Sequence, residues 1–292
     1  EILGKVDQAI AIYQAGLGLI KDFQSKQEDL MASFASFPSA YLGLTDAAGN
    51  LELYDGKFRL LDAKGFVLED GVDGQDYLSI IEERVEDWSY MKFPCYKKMG
   101  YPAGMYRVGP LARLNVADGV ATPLASKEFQ EFKKLGEGGI VEGSLYFHYA
   151  RLIEGLYATE RLRELLEHED ICSTEIRTTS RKYREEGVGV LEAPRGTLVH
   201  HFWVDPSGAI RKANIIVATQ NNNLAMNRAI YQVAKEHVKA DRLTEGMLNR
   251  VEVAIRCYDP CLSCATHVMG KMPLSIQLVS SCGEVIDEVV TG

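Results

Sequence analysis

Residues 256–270 read RCYDPCLSCATHVMG. Cys257, Cys261, Cys264 and His267 place three thiols and an imidazole within eleven positions, and twenty-five residues follow His267. Thiolates and imidazoles are soft donors suited to zinc, nickel, copper or iron. The pair Cys261-x-x-Cys264 brings two sulfurs close enough to chelate one metal or to close a redox disulfide. All four residues together would make a Cys3His zinc site. Structural zinc sites usually draw on two separated ligand pairs, however, and four donors in one short loop strain the tetrahedron.

The spacing Cys257-x3-Cys261-x2-Cys264 also matches the iron–sulfur pattern of radical SAM enzymes. There most of the catalytic domain follows the motif, whereas here twenty-eight residues follow Cys264. A thioredoxin-like redox pair needs a βαβ context. This motif instead follows a helical pattern and precedes an alternating one.

The longer string Asp259-Pro260-Cys261-Leu262-Ser263-Cys264-Ala265-Thr266-His267 resembles the C-terminal nickel signature of [NiFe] hydrogenase large (catalytic) subunits. Nine residues are far more specific than CxxC. Glu192-Ala193-Pro194-Arg195-Gly196 resembles the EAPRG segment beside the metal centre of that family. YRVGPLARLN (106–115) and VATQNNNLAMN (217–227) resemble segments of its soluble, NAD-linked bidirectional branch. The resemblance runs from the first helix to the C-terminus.

That resemblance implies a reversible oxidation of H2. Electrons would pass to an iron–sulfur small subunit, whose clusters relay them to diaphorase subunits and NAD or a similar carrier. It implies a Ni-Fe(CO)(CN)2 centre, with Cys261 a terminal nickel ligand and Cys264 bridging nickel and iron. Arg195 and Asp259 are the implied catalytic pair. Pro194 and Thr219 would line the pocket of the diatomic ligands, the Thr219 hydroxyl donating to a cyanide nitrogen. His267 would bind a magnesium or iron ion near the site. A maturation endopeptidase would cut between His267 and Val268. Residues 1–267 are then the C-terminal portion of the large-subunit domain, and 268–292 an extension removed on maturation.

The chain departs from the family pattern in one respect. The family supplies two further nickel cysteines from an N-terminal CxxC, and a proton-relay glutamate. Neither is found here, so the expectation is a portion of a longer subunit that cannot hold the whole centre alone. The alternative is a non-catalytic relative, either a scaffolding subunit or one like the quinone-site subunit of respiratory complex I. Cys261 and Cys264 argue against the latter. Cys257 is expected to be a core thiol, and Cys95, Cys172 and Cys282 to be structural. His200 and His201 point to opposite faces of a strand, one of them inward.

These residues need elements to hold them. Ile2, Val6, Ala9, Ile10, Tyr13, Leu17 and Ile20 recur at helical spacing. Residues 41–71 alternate short apolar runs with AGN, DG and KG turns, which predicts a β-meander. Residues 73–123 read as irregular. Residues 126–168 read as helical, with Leu145, Tyr149, Leu152, Leu156, Leu162, Leu165 and Leu166 as the buried stripe. TLVHHFWV and IRKANIIVAT flank DPSG (205–208) as a hairpin. NNNLAMNRAIYQVAKEHVKA and LTEGMLNRVEVAIRCYD read as helices, the second stopping at Pro260. The tail MPLSIQLVSSCGEVIDEVV reads as a hairpin about Ser281-Cys282-Gly283. The fold class is α+β, a helical core with β-hairpins at its edge, in part the [NiFe] large-subunit fold.

Composition narrows the function classes. The chain has 292 residues, 46% of them hydrophobic, which suffices for a large core. The net charge of −9 would repel a nucleic-acid backbone. No run of eighteen apolar residues suggests a spanning helix, and the N-terminus lacks signal-peptide architecture. Six cysteines in so long a chain suit metal chemistry in a reducing compartment, hence the cytoplasm.

Overall fold

The computed structural model describes residues 2–177, 184–238, 242–261 and 274–291. The chain opens with α1 (Leu3–Lys26) and the short α2 (Glu28–Ser33). Strands β1 (Ala40–Thr45), β2 (Lys57–Leu61) and β3 (Val67–Val72) form an antiparallel meander. Next come β4 (Ile81–Arg84) and β5 (Phe93–Tyr96), a hairpin of its own, and the two-residue β6 (Tyr106–Arg107). β6 adds to β1 in parallel, so the first sheet runs β3-β2-β1-β6. Residues 73–123, read from sequence as irregular, thus hold three short strands and a helix. These elements are too short to show a period.

Three helices follow: α3 (Pro110–Val116), α4 (Pro123–Lys133) and α5 (Tyr146–Glu167). A second antiparallel sheet contains β7 (Glu186–Ala193), β8 (Gly196–Val204) and β9 (Ile210–Ile216). Then come the single turn α6 (Ala218–Asn221), α7 (Asn223–His237) and α8 (Glu245–Cys257). The predicted tail hairpin is present as β10 (Leu274–Val279) and β11 (Val285–Thr291).

The main core lies between helices. α1 packs along α5 through Val6, Ile10 and Leu17. The approach is close: a Cβ added at Gly155 would lie 2.0 Å from Tyr13 Cε1. Ile2, one of the residues that recur at helical spacing, is exposed at the helix start. The α5 stripe holds at Leu145, Tyr149 and Leu156, but Leu162 and Leu165 are exposed, because the last turns of α5 run past the core. α5 also buries two carboxylates, Glu154 and Glu160. Glu160 caps α4 from outside, accepting from the Leu124 and Ala125 amides at 2.9 Å each and from the Thr122 hydroxyl at 2.6 Å.

α3 is the hinge between the helical core and the sheets, and all seven of its residues are buried. Pro110 starts it, at the position where a missing N–H costs nothing. Its C-terminal carbonyls are capped by Lys133, whose Nζ donates to Leu114 O at 3.3 Å and Asn115 O at 3.1 Å. Burial pushes the Lys133 ammonium down to about 8, with the distant Asp118 carboxylate opposing. A lysine depressed in the native state binds fewer protons than in the unfolded chain between pH 8 and its ordinary value. Stability contributed at this position therefore rises as pH climbs through that window. The denaturation midpoint of the parent should gain on that of Lys133→Met between pH 8 and 9, and parallel curves would refute the linkage. The comparison must be by difference. Cys95 and Cys257, pushed up to about 12 by burial, give a stability that falls as the unfolded thiols ionise.

Candidate metal centre

Arg195 sits in the turn between β7 and β8, and the turn is held from beneath by Arg113 of α3. All five N–H groups of the Arg113 guanidinium are used. Nε and Nη2 form a fork on Glu154, at 2.6 Å each. Nη1 meets Glu192 Oε2 and the Ala193 carbonyl, both at 2.8 Å, and Nη2 also reaches the Pro194 carbonyl at 3.1 Å. Burial alone would lower the pKa of this guanidinium. Glu154 and Glu192 more than offset that, and the net direction is upward. Glu192 is pushed up by its own burial, against Arg113 and the Thr197 hydroxyl, which donates to Oε1 at 2.8 Å.

A second set of bonds joins this turn to residues 106–109 and 219–223. Tyr106 Oη donates to Asn221 Oδ1 at 2.6 Å, and Asn221 Nδ2 donates to the Thr197 carbonyl at 2.9 Å. Asn222 bonds both backbone groups of Val108, accepting from N at 2.9 Å and donating to O at 3.3 Å. Gly109, at φ +91°, lies against the Arg195 carbonyl, and a Cβ there would be 2.5 Å from that oxygen. The EAPRG, YRVGPLARLN and TQNNN segments are thus one bonded unit.

Across this unit lies the end of α8. The helix stops at Cys257, and Asp259 takes a left-handed conformation (φ +50°), which Asp tolerates better than most residues. Arg195 Nε donates to the Asp259 carbonyl at 2.6 Å and lies 3.1 Å from its carboxylate Oδ2. Two residues on, the Cys261 amide donates to the Thr219 hydroxyl at 2.9 Å. Arg195, Asp259, Thr219, Pro194 and Cys261, all singled out from the sequence, are therefore neighbours. Thr219 has a role that the sequence reading missed: its oxygen accepts from the Cys261 amide.

Cys264, His267 and Val268 lie outside the described residues. Cys257 is a fully buried core thiol, as expected. Cys95 is buried beside Glu82, at 3.5 Å from Oε1. Cys172 and Cys282, expected to be structural, are exposed. Of the two histidines, His201 turns inward, its Nδ1 3.1 Å from the Tyr77 hydroxyl and its Nε2 2.9 Å from Glu186, while His200 is exposed. His148 and Arg151 of α5 complete the surroundings. Arg151 donates to the Cys257 carbonyl at 3.0 Å and lies 3.2 Å from His148 Nδ1. Burial, then the Arg151 charge, hold His148 below its ordinary value.

The Cys261 sulfur is held in a disulfide here; reduced, this half-buried cysteine beside a guanidinium–carboxylate pair would suit a thiolate-bound metal. Among the described residues, no group of three His, Cys, Asp or Glu could hold a metal by itself. Arg113, Glu154 and Glu192 were not assigned a role from sequence. The available signals were a carboxylate inside the apolar stripe of α5 and an arginine inside an otherwise buried seven-residue helix. Arg113→Lys replaces five donors with three and leaves buried acceptors bare. We expect a loss of about 3 kcal/mol in unfolding free energy, read from denaturant melts. An unchanged midpoint would mean that the fork does not hold the turn.

Comparison with known proteins bears on the same residues. The nickel-dependent hydrogenase family matches residues 58–267. The beta subunit of the NAD-reducing hydrogenase HoxS of Cupriavidus necator is 42% identical over 291 residues, which is 99% of this chain and 59% of that protein. A crystal structure of an NAD+-reducing [NiFe] hydrogenase in the H2-reduced state superposes with a TM-score of 0.86 at 42% identity, covering 91% of this chain and 58% of that one. A [NiFeSe] hydrogenase variant from Desulfovibrio vulgaris Hildenborough shares the fold, with a TM-score of 0.65 at 23% identity and coverage of 90% and 60%. The chain thus spans about three fifths of the length of these relatives. With a match across most of its length and a common fold, this chain belongs to the nickel-dependent hydrogenase family.

Proposed function

We propose that the chain is the C-terminal portion of the catalytic subunit of a cytoplasmic [NiFe] hydrogenase. The enzyme oxidises H2 reversibly and passes electrons through an iron–sulfur small subunit and diaphorase subunits to NAD or a similar carrier. The observation that carries this reading is the meeting of Arg195, Asp259 and Cys261 in a family member. A non-catalytic scaffold would have no use for that grouping. Two of the relatives named above, the HoxS enzyme and the [NiFe] hydrogenase in the H2-reduced state, are NAD-reducing, which favours NAD as the final acceptor. No helix among the described residues is long and apolar enough to cross a membrane.

Cys261 and Cys264 would hold nickel from this chain, with Cys264 shared with iron and two further thiolates coming from outside it. Thiolates suit nickel because soft, anionic sulfur lowers the charge on the metal and widens its redox range. When bound, the centre, with CO and cyanide on iron, supplies the Lewis acid that polarises H2 and the couple that accepts its electrons. The residues of the chain do the rest. Asp259 engages Arg195 through Nε, fixing the plane of the guanidinium. The two terminal nitrogens are bonded to no described residue and would orient a proton acceptor or H2 itself. Thr219 fixes the backbone of Cys261 and keeps a hydroxyl proton for a cyanide nitrogen, with Pro194 at the pocket wall. His267 would bind magnesium or iron once an endopeptidase has removed 268–292.

Three measurements test the reading. The matured complex should contain nickel and iron in equal amounts and reduce a dye with H2. Arg195→Lys should keep both metals and lose most turnover, because a point charge does not reproduce the planar fork. Unchanged H2 oxidation in that variant would remove Arg195 from the reaction. Intact-mass spectra of the matured subunit should end at His267, and full activity in a chain that still ends at Gly292 would refute the processing.

A further inference from the structure

Glu83 of β4 lies outside every motif discussed above, yet it is bonded towards the site. Its Oε1 accepts from Gln220 Nε2 at 2.8 Å, and its Oε2 from Asn214 Nδ2 at 3.0 Å, with Lys92 Nζ 3.4 Å away. Its side chain is 12% exposed, whereas that of Lys92 is 46% exposed. The two amide bonds, not the screened ion pair, therefore hold it. The same hairpin makes a second bond to the following helix, the Lys92 carbonyl accepting from Asn223 Nδ2 at 2.8 Å. The β4–β5 hairpin thus grips residues 220 and 223 from outside, on either side of the buried Asn221 and Asn222. Next to Gln220 is Thr219, whose hydroxyl takes the Cys261 amide at 2.9 Å.

We infer that Glu83 is a positioning residue for Cys261, acting through Gln220 and Thr219. Three donors converge on it, and among neutral and anionic side chains only a carboxylate accepts from all of them without presenting a donor of its own. A single-turn helix of four residues has little rigidity of its own, so the place of Thr219 depends on what holds the turn. Asn221 and Asn222 hold it from the core side, and Glu83 from the hairpin side. The role in catalysis rests on the reading of Cys261 as a nickel ligand. The mechanical coupling does not, and it is measurable without metal.

The test is amide hydrogen exchange on the metal-free chain, read at Cys261. Glu83→Gln and Gln220→Leu should each speed exchange at Cys261 by about ten-fold or more, while amides in the middle of β8 keep their protection. The double variant Glu83→Gln/Gln220→Glu exchanges donor and acceptor. The new amide at position 83 accepts from Asn214 through its oxygen and donates to the new carboxylate at position 220, so protection at Cys261 should return. In the assembled enzyme the single variants should lower kcat with KM for H2 unchanged, and the double variant should recover. The inference is overturned if Cys261 exchange is unchanged in folded Glu83→Gln and Gln220→Leu. It is equally overturned if exchange rises in proportion at Cys261 and β8, or if the double variant fails to rescue. If Glu83→Gln does not fold, Gln220→Leu reads the same coupling from the other end. A parent complex inactive with H2 would sink the proposed function and leave this coupling standing.

Discussion

Arg113 is a positive charge with no water around it. A guanidinium so placed is tolerable only if every N–H is bonded and its charge is matched nearby. Glu154 supplies one carboxylate from α5 and Glu192 another from β7, and two carbonyls of the EAPRG turn take the remaining bonds. Such a cluster is no cheap source of stability, since well-packed apolar groups often do as well. Its effect is on geometry. Five donors in a rigid fork, met by five acceptors from three elements, admit one arrangement of α3, α5 and β7, and with it one position for Arg195.

The rest of the site is irregular backbone joined by amide side chains. Arg195 and Gly109 approach so closely that no Cβ fits between them, and at Gly196 a Cβ would strike Val108. Backbone packed this tightly away from regular structure has N–H and carbonyl groups with no ladder to join. Asn221 and Asn222 satisfy those of Val108 and Thr197. Asparagine suits this work, because one short side chain carries both a donor and an acceptor. The buried run of polar residues at 219–223 is thus a consequence of the two glycines: close approach creates the unmet backbone groups, and the amides meet them.

What could be read from sequence follows from the range of the signal. The 3.6-residue periods of α1 and α5 and the DPSG and SCG turns are local, and the corresponding elements are present. The strands at 81–84, 93–96 and 106–107 were not legible, because two to four residues show no period. β7 was masked by Gly187 and Gly189, which break the alternation that its partner β8 shows clearly. At the site, Arg195, Asp259 and Cys261 were singled out through strings that are contiguous in the chain. Arg113, Glu154 and Glu83 were not assigned, since each acts on residues more than forty positions away and nothing in local spacing records such a pairing.

Two cysteines at and just beyond the end of one helix lie in different surroundings, and the difference comes from a single backbone turn. Cys257 ends α8 inside the core, where burial pushes its thiol up to about 12 and keeps it protonated and inert. Had the helix continued, Cys261 would stand one turn further along the same buried face. Instead Asp259 enters the left-handed region and Pro260 forbids further helix. The chain swings out, and Cys261 arrives half-buried beside Thr219. The residue that makes the swing is also the one that binds Arg195. That ion pair is partly open to solvent, with side-chain exposures of 40% and 48%, and contributes little to stability. Its value lies in registration. The bond to the Asp259 carbonyl ties the guanidinium to the turn itself, so any shift of the turn that carries Cys261 carries the charge beside it as well.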